Sequence, residues 1–226
     1  MGKNKSYAPT DFLEALAPHL IPELRPPSEL VKFTRNTDIV GAYVEGAVRE
    51  LVKRYVAPLR VASGGVIDQA NIPGDPSLPQ IDTIIWTPSP APGVFQVGDF
   101  ALVPRSSALG ILEIKSSAYN PADLDKRLSP TFVHRVTADA LPDERQRLGD
   151  IVAGLGVICV RKKGQNRSRI DKMKNASRVV VLFDEDNGQF RVRTKDIYRL
   201  VNFLAFVRLR GRLHEGEIKI NIDLLR

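Results

Sequence analysis

A β-strand that carries both an acid and an amine is predicted for GILEIKSS, residues 110–117. The run QIDTIIW, residues 80–86, predicts a second apolar strand with Asp82 near its start. Side chains two residues apart on a strand point to the same face, so Glu113 and Lys115 share a face. Burying an isolated charge is costly unless the charge is paired or bound to a metal ion. These charged residues therefore need partners.

The charges meet at one edge of the sheet if the two strands lie side by side in suitable register. Asp82 and Glu113 would then supply two carboxylates, next to the ammonium of Lys115. Hard divalent cations such as Mg²⁺ or Mn²⁺ prefer oxygen ligands and retain several waters. At such a site a water attacks a phosphodiester while the metal neutralises the charge developing on the phosphate. Lys115 would orient that water or stabilise that charge, and the sequence leaves both roles open.

A simpler alternative is that Glu113 and Lys115 form an edge-strand ion pair while Asp82 lies in a turn.

The composition excludes a metal site built on cysteines and makes a site built on clustered histidines improbable. Cys159 is the one cysteine and stands in an apolar run, which predicts a core residue. The three histidines are scattered along the chain at no metal-ligand spacing.

The pattern of apolar residues predicts an α/β fold with a mixed sheet covered on both faces. One amphipathic helix, capped by Thr37, is expected over 36–57 and another over 194–208. A further helix over 121–150 is expected to break near 141–142, and the proline-rich loop 87–98 is expected to hold no strand. The early strands predict a largely antiparallel meander. Strands are predicted over 59–68, 80–86, 99–103, 109–115, 156–161, 177–184 and 189–193.

The domain is expected to span residues 36–226, with residues 1–35 forming a helical arm that packs on it. No apolar run approaches the roughly 20 residues that cross a bilayer, and no secretory signal is recognisable at the N-terminus. We therefore expect a cytoplasmic protein with no membrane partner. The pair Gly64-Gly65 predicts a bulge or bend within the first strand.

The basic residues point to a polyanionic partner. The chain has 33 Lys and Arg against 26 Asp and Glu, a net charge of +7, and most of this excess lies between residues 161 and 174. This segment is either a solvated loop or a phosphate-contacting surface. Arg208, Arg210 and Arg212 are further candidates for phosphate contact. The basic residues of the segment are Arg161, Lys162, Lys163, Arg167, Arg169, Lys172 and Lys174.

Four stretches together resemble the PD-(D/E)XK nuclease superfamily, and more narrowly a bacterial and phage nuclease-like branch of it. They are GAYVE at 41–45 on the first helix, GVID at 65–68, QIDTII at 80–85 and ILEIKSS at 111–117. The match covers about residues 36–120. It implies a restriction-endonuclease-like fold with helices on both faces of a mixed sheet. Ile81 stands where the family pattern has proline, and a long proline-rich loop separates the two acids.

The resemblance also implies roles for individual residues. Asp82, Glu113 and the backbone carbonyl of Ile114 would bind the metal, and Lys115 would orient the water or stabilise charge. Glu45 would approach from the helix, through a water on the metal or through a second ion. Helical spacing agrees, because it places Glu45 at the border of the apolar stripe.

These roles predict a Mg²⁺- or Mn²⁺-dependent nuclease acting on nucleic acid, with DNA as the favoured substrate. The resemblance further suggests a homodimer, or a partner protein in phage defence or restriction. The alternative is a catalytically inactive nucleic-acid-binding or complex-assembly module with the same fold. Trp86 and Tyr119 border the predicted site and would either stack on a base or pack in the core.

Overall fold

The computed structural model describes residues 34, 36–68, 79–88, 92–93, 95–117, 119–142, 152–162, 167–187 and 189–223. The predicted N-terminal arm lies almost wholly outside these residues. Along the described chain a first helix is followed by five strands, two short helices, a strand, a four-residue helix, two strands and a long final helix. The helices are α1 (Thr37–Val56), α2 (Pro121–Arg127), α3 (Pro130–Val136), α4 (Arg167–Ile170) and α5 (Thr194–Asp223). The strands are β1 (Arg60–Ile67), β2 (Ile81–Trp86), β3 (Phe95–Val97), β4 (Phe100–Pro104), β5 (Ala108–Lys115), β6 (Gly154–Lys162), β7 (Val179–Asp186) and β8 (Gln189–Val192).

Helix α1 forms because apolar residues recur along one face and a capping residue precedes it. The cap is Asn36, whose side chain accepts a hydrogen bond from the backbone N–H of Asp38 at 2.9 Å. The prediction of Thr37 as the cap is therefore wrong by one position, since Thr37 is already helical. Five valines on one face of the helix are buried: Val40, Val44, Val48, Val52 and Val56.

The described strands form one mixed sheet of eight, in the order β3-β4-β1-β2-β5-β6-β7-β8. Strands β1, β2 and β5 pair antiparallel, whereas β5, β6 and β7 pair parallel. The early strands are not the simple antiparallel meander that the sequence predicts. Strand β4 crosses to the far side of β1 and pairs with it in parallel.

Helices cover both faces of the sheet, which confirms the predicted fold class. Helices α1 and α5 pack over Leu112 and Ile114 of β5, on one face. Helix α3 packs over Ile111 of the same strand on the opposite face, and α2 packs on that side over Ile158 of β6. This alternation follows from the period-two geometry of a strand.

Three predicted boundaries are wrong for local reasons. The loop expected over 87–98 contains β3, a three-residue strand whose Phe95 and Val97 are exposed and so carry no burial signal. The helix expected over 121–150 breaks already at Ser129-Pro130, because Ser129 caps a new helix. Helix α5 continues past residue 208 to Asp223.

Two structural predictions are confirmed. Cys159 is fully buried in the core, and burial raises the pKa of its thiol to about 12. Strand β1 contains a bulge, because its register with β2 shifts between Ala62 and Gly64.

Across the part of the chain that the structure describes, no helix combines the length and apolar character required to span a bilayer.

Candidate active site

Strand register brings the two predicted carboxylates together. Thr83 of β2 pairs with Leu112 of β5 in an antiparallel ladder, so the next step of the ladder sets Asp82 opposite Glu113. Directly opposite residues on antiparallel strands point to the same face with their Cβ atoms about 5 Å apart. Asp82 Oδ2 also accepts a hydrogen bond from the backbone N–H of Ile114 at 2.7 Å, which fixes the carboxylate against β5.

Lys115 lies between the two acids. Its Nζ is 3.1 Å from Asp82 Oδ2 and 3.6 Å from Glu113 Oε2. Burial alone would lower the pKa of Lys115, but Asp82, Glu113 and Glu45 outweigh it and raise that pKa. The amine of Lys115 is therefore held charged, at the end of β5 and next to the start of β2.

Glu113 is the most deeply buried of these groups, with a side chain only 4% exposed. Its Oε1 is buried and has no hydrogen-bond partner among the described residues. Burial, and next the negative charge of Asp82, raise the pKa of Glu113 to about 7, although Arg127 and Lys115 oppose the shift. A buried acceptor without a donor is costly and uncommon, and such atoms occur at functional sites.

Glu45 approaches the same place from α1, as its helical position predicts. Burial and then the charge of Asp82 raise the pKa of Glu45, while Arg49 and Lys115 act in the opposite direction. Arg49 ties the helix to the strand: its Nη1 donates to the Asp82 carbonyl at 2.9 Å and lies 3.7 Å from Glu45 Oε2. Glu50, in contrast, points outward and pairs with Lys53.

The acids open into a cleft of about 810 Å³ between the sheet edge and helices α2 and α3. Asp82, Glu113 and Lys115 line its floor, and Arg127 and Phe132 line its wall. Sequence reasoning missed Arg127 and Arg49. Arg49 could have been found because it follows Glu45 by one helical turn on α1, whereas Arg127 lies in a segment whose helix break was placed too late.

The oxygen donors of this site fit a hard cation such as Mg²⁺. No three Asp, Glu, His or Cys side chains in the described ranges are grouped to hold a metal by themselves. Mg²⁺ does not require such a group, because it is commonly bound by one or two carboxylates and keeps several waters. Asp82 and Glu113 could supply two such carboxylates.

The basic segment 161–174 lies partly within the described structure. Lys163 and the side chain of Arg167 fall outside it. Arg161 donates from Nε to Asp184 Oδ1 at 2.7 Å, so its charge is already paired. Four residues have exposed side chains: Lys162, Arg169, Lys172 and Lys174.

The predicted nucleic-acid contacts of two further residues are wrong, because both side chains are buried. Arg210 is only 3% exposed and donates to the carbonyls of Leu109 and Ala138, so it ties α5 to the sheet and cannot contact a phosphate. Trp86 is fully buried in the core, so it does not stack on a base. Tyr119 is half-buried beside α2, with Arg169 and Arg161 near enough to influence its pKa.

Comparison with solved structures identifies the fold. The chain superimposes on NucC of E. coli bound to cAAA with a TM-score of 0.54 and 16% identity, over 91% of this chain and 93% of that one. NucC of P. aeruginosa bound to cAAA gives a TM-score of 0.52 and 15% identity, over 89% and 92% of the two chains. The apo form of E. coli NucC gives 0.50 and 18%, over 89% and 93%.

No protein-family model and no curated protein sequence matches the chain. At this identity the likeness concerns the fold, and it confirms the restriction-endonuclease-like architecture that the sequence predicts.

Proposed function

We propose that this chain is a metal-dependent nuclease that hydrolyses phosphodiester bonds, with DNA as its substrate. The observation that carries the proposal is the buried Oε1 of Glu113, which has no hydrogen-bond partner in the described chain and lies opposite Asp82 at the floor of an open cleft. Glu113 is ion-paired with Lys115 and Arg127, but a fold that only needed stability would favour an apolar pair here, because a buried ion pair is often no more stabilising than well-packed apolar residues. Binding of a cation by Asp82 and Glu113 would explain why the chain keeps both carboxylates at this place.

Asp82 and Glu113 would hold the metal, with the Ile114 carbonyl as a further oxygen and Glu45 as an outer carboxylate. When bound, Mg²⁺ would supply positive charge to the phosphate and acidify an attacking water. The resemblance of the four sequence stretches supports the same assignment, and the likeness to NucC supports the fold that it requires.

Lys115 would supply a fixed positive charge next to the reacting phosphate. Its ammonium lies 3.1 Å from Asp82 Oδ2 and 3.6 Å from Glu113 Oε2, and would lie next to a phosphate bound at these carboxylates. A fixed positive group at the point where negative charge develops stabilises the transition state more than the ground state. Arg49 holds the start of β2 and Glu45 in their relative positions.

One observation favours a second function. Lys115 pairs with Asp82, and Arg127 lies 3.5 Å from Glu113 Oε1, so two cations already offset the two carboxylates. A site compensated in this way could persist in a nucleic-acid-binding or assembly module without turnover. Such a module would bind DNA without cutting it.

Two of the three NucC structures reported above are cAAA-bound forms. We therefore propose a role in phage defence, with a cyclic oligonucleotide of this class as the activating signal and self-association of the chain as part of the active state. Cleavage should accordingly be measured both with and without cAAA, and both alone and at concentrations that favour assembly.

The test is cleavage of supercoiled plasmid by the purified protein. We expect nicking with Mg²⁺ or Mn²⁺, none with EDTA, and a loss of about 10²–10³-fold or more in D82N, E113Q and K115A. E45Q should lower the rate, whereas E50Q, a matched change on the outer face of the same helix, should not. A folded K115A that cuts as fast as the wild type would remove Lys115 from the mechanism, and metal-independent DNA binding without cleavage under all conditions would favour the binding module.

A further inference from the structure

Arg127 lies at the end of α2 and is fixed over the cleft by three contacts. Its Nη1 donates to the Gln80 carbonyl at 2.9 Å, just before β2. The same nitrogen forms an ion pair with Glu113 Oε1 at 3.5 Å, without a hydrogen bond to that oxygen. The guanidinium carbon is 5.3 Å from the centroid of the Phe132 ring. These contacts orient the plane of the guanidinium without using all of its donors.

The remaining donors have access to the cleft. The Arg127 side chain is 33% exposed and lines the cavity together with Asp82, Glu113 and Lys115. Guanidinium carries five N–H donors in a planar fork that matches the geometry of phosphate oxygens. A ring face beneath it holds that plane in place, which a lysine could not exploit in the same way.

The surrounding charge agrees with an anionic ligand. Lys126 and Arg135 also line the cavity wall, and Asp123 is the acid on that wall. Lys126 and Arg127 occupy the last turn of α2. The wall therefore carries a positive balance above a floor that would hold the reacting phosphate.

We propose that Arg127 binds a backbone phosphate of the nucleic acid, at or next to the phosphate that is cut. This inference rests on the proposed function, because it takes a nucleic acid as the occupant of the cleft. Arg127 is a substrate-binding residue in this assignment, and its contact with Glu113 sets its distance from the reacting position.

Measurements of DNA binding test this inference independently of cleavage. We would measure the affinity of a fluorescein-labelled DNA duplex by anisotropy, in EDTA and as a function of salt, in the full-length K115A protein. Adding R127Q should weaken binding several-fold and reduce the slope of log K against log salt by about 0.9, the value for one phosphate contact. R127K should keep most of the slope because it keeps the charge, but should lose affinity because it lacks the fork. R191Q, an exposed arginine on β8, should change neither.

The melting temperature provides the structural control. If R127Q melts as K115A does and yet binds DNA with unchanged affinity and slope, the inference is wrong. If R127Q unfolds, R127K decides: affinity equal to that of K115A also overturns the assignment. If the wild type never cleaves DNA but R127Q loses one contact, the proposed nuclease fails while the phosphate site stands. If the wild type cleaves, R127Q in the K115A background keeps its DNA affinity, and R127Q alone keeps its turnover, the phosphate site fails and the proposed nuclease stands.

Discussion

Glu113 shows at the scale of one residue how a functional group opposes stability. Its pKa is raised to about 7, first by burial and then by Asp82, so the folded protein disfavours the ionised form. In the unfolded chain the same carboxyl titrates near its ordinary value of 4.5. Between these pH values the folded state binds more protons than the unfolded state, so stability falls as pH rises through this window.

This difference predicts that E113Q stabilises the metal-free protein. Glutamine resembles the protonated acid, so the gain should be largest at pH 8, small near pH 5, and at most on the order of 3 kcal/mol, since one pKa unit corresponds to about 1.4 kcal/mol. For a chain of this size each kcal/mol shifts the melting temperature by about 2–4 °C. Thermal melts of both proteins in EDTA at the two pH values test this, and an equal difference at both would contradict it.

Addition of Mg²⁺ should reduce or reverse the difference in stability between the wild type and E113Q. A ligand that binds only the folded state raises its stability. Addition of Mg²⁺ at pH 8 should therefore raise the melting temperature of the wild type and leave E113Q almost unchanged. This measurement reports on the carboxylates without requiring cleavage.

At the scale of an element, the bulge in β1 positions the strand that carries Asp82. Gly64 pairs with Ile81, the residue before Asp82, and has a φ of +139° that few side chains adopt. On its other side β1 runs so close to β4 that a Cβ at Gly64 would lie 1.9 Å from the Ala101 carbonyl oxygen. The glycine therefore permits both the kink and the close approach.

We expect G64A to lower the free energy of unfolding by at least about 2 kcal/mol, through overpacking and strained backbone. Because β2 begins at this bulge, cleavage should also fall. The matched control is G46A in the middle of α1, where a Cβ meets nothing within 4 Å; alanine there should be neutral or stabilising by up to about 1 kcal/mol. Urea denaturation compares the two, and equal effects would show that the close approach to β4 is not limiting.

The elements that the sequence predicts well are those with strong local signals. Apolar periodicity identifies α1, and largely apolar runs that contain Asp82, Glu113 and Lys115 identify β2 and β5, so the meeting of these three residues could be anticipated. The parallel pairing of β4 with β1 could not, because strand order depends on contacts between distant segments. Strand β3 has exposed apolar residues, so its sequence gives no pattern of burial. The place of Arg127 over the cleft could not be predicted, because it depends on the helix break at Ser129-Pro130 and on a contact with the distant residue Gln80.

At the scale of the whole molecule, the basic segment and the cleft share one helix. Ile170 and Met173 of the segment pack with Leu124 of α2 and with Leu128, which directly follows that helix, in a single apolar cluster. Asn175 also hydrogen-bonds to Asp125 of that helix, at 2.8 Å from its backbone N–H. The exposed lysines of the segment are thus anchored to the same helix that carries Arg127. A nucleic acid leaving the cleft along α2 would meet them.

This arrangement predicts that K172E/K174E weakens DNA binding without changing the active site. Each lost phosphate contact should reduce the slope of log K against log salt by about 0.9, so the double variant should lose up to about 1.8. Cleavage at low salt and saturating DNA should remain near the wild-type rate, because neither lysine lies in the cleft. R191E/K195E is the matched control, since it changes net charge equally on residues of β8 and α5 that are also exposed. If both double variants weaken binding to the same degree, attraction is set by total charge rather than by this segment, and the segment is an ordinary solvated loop.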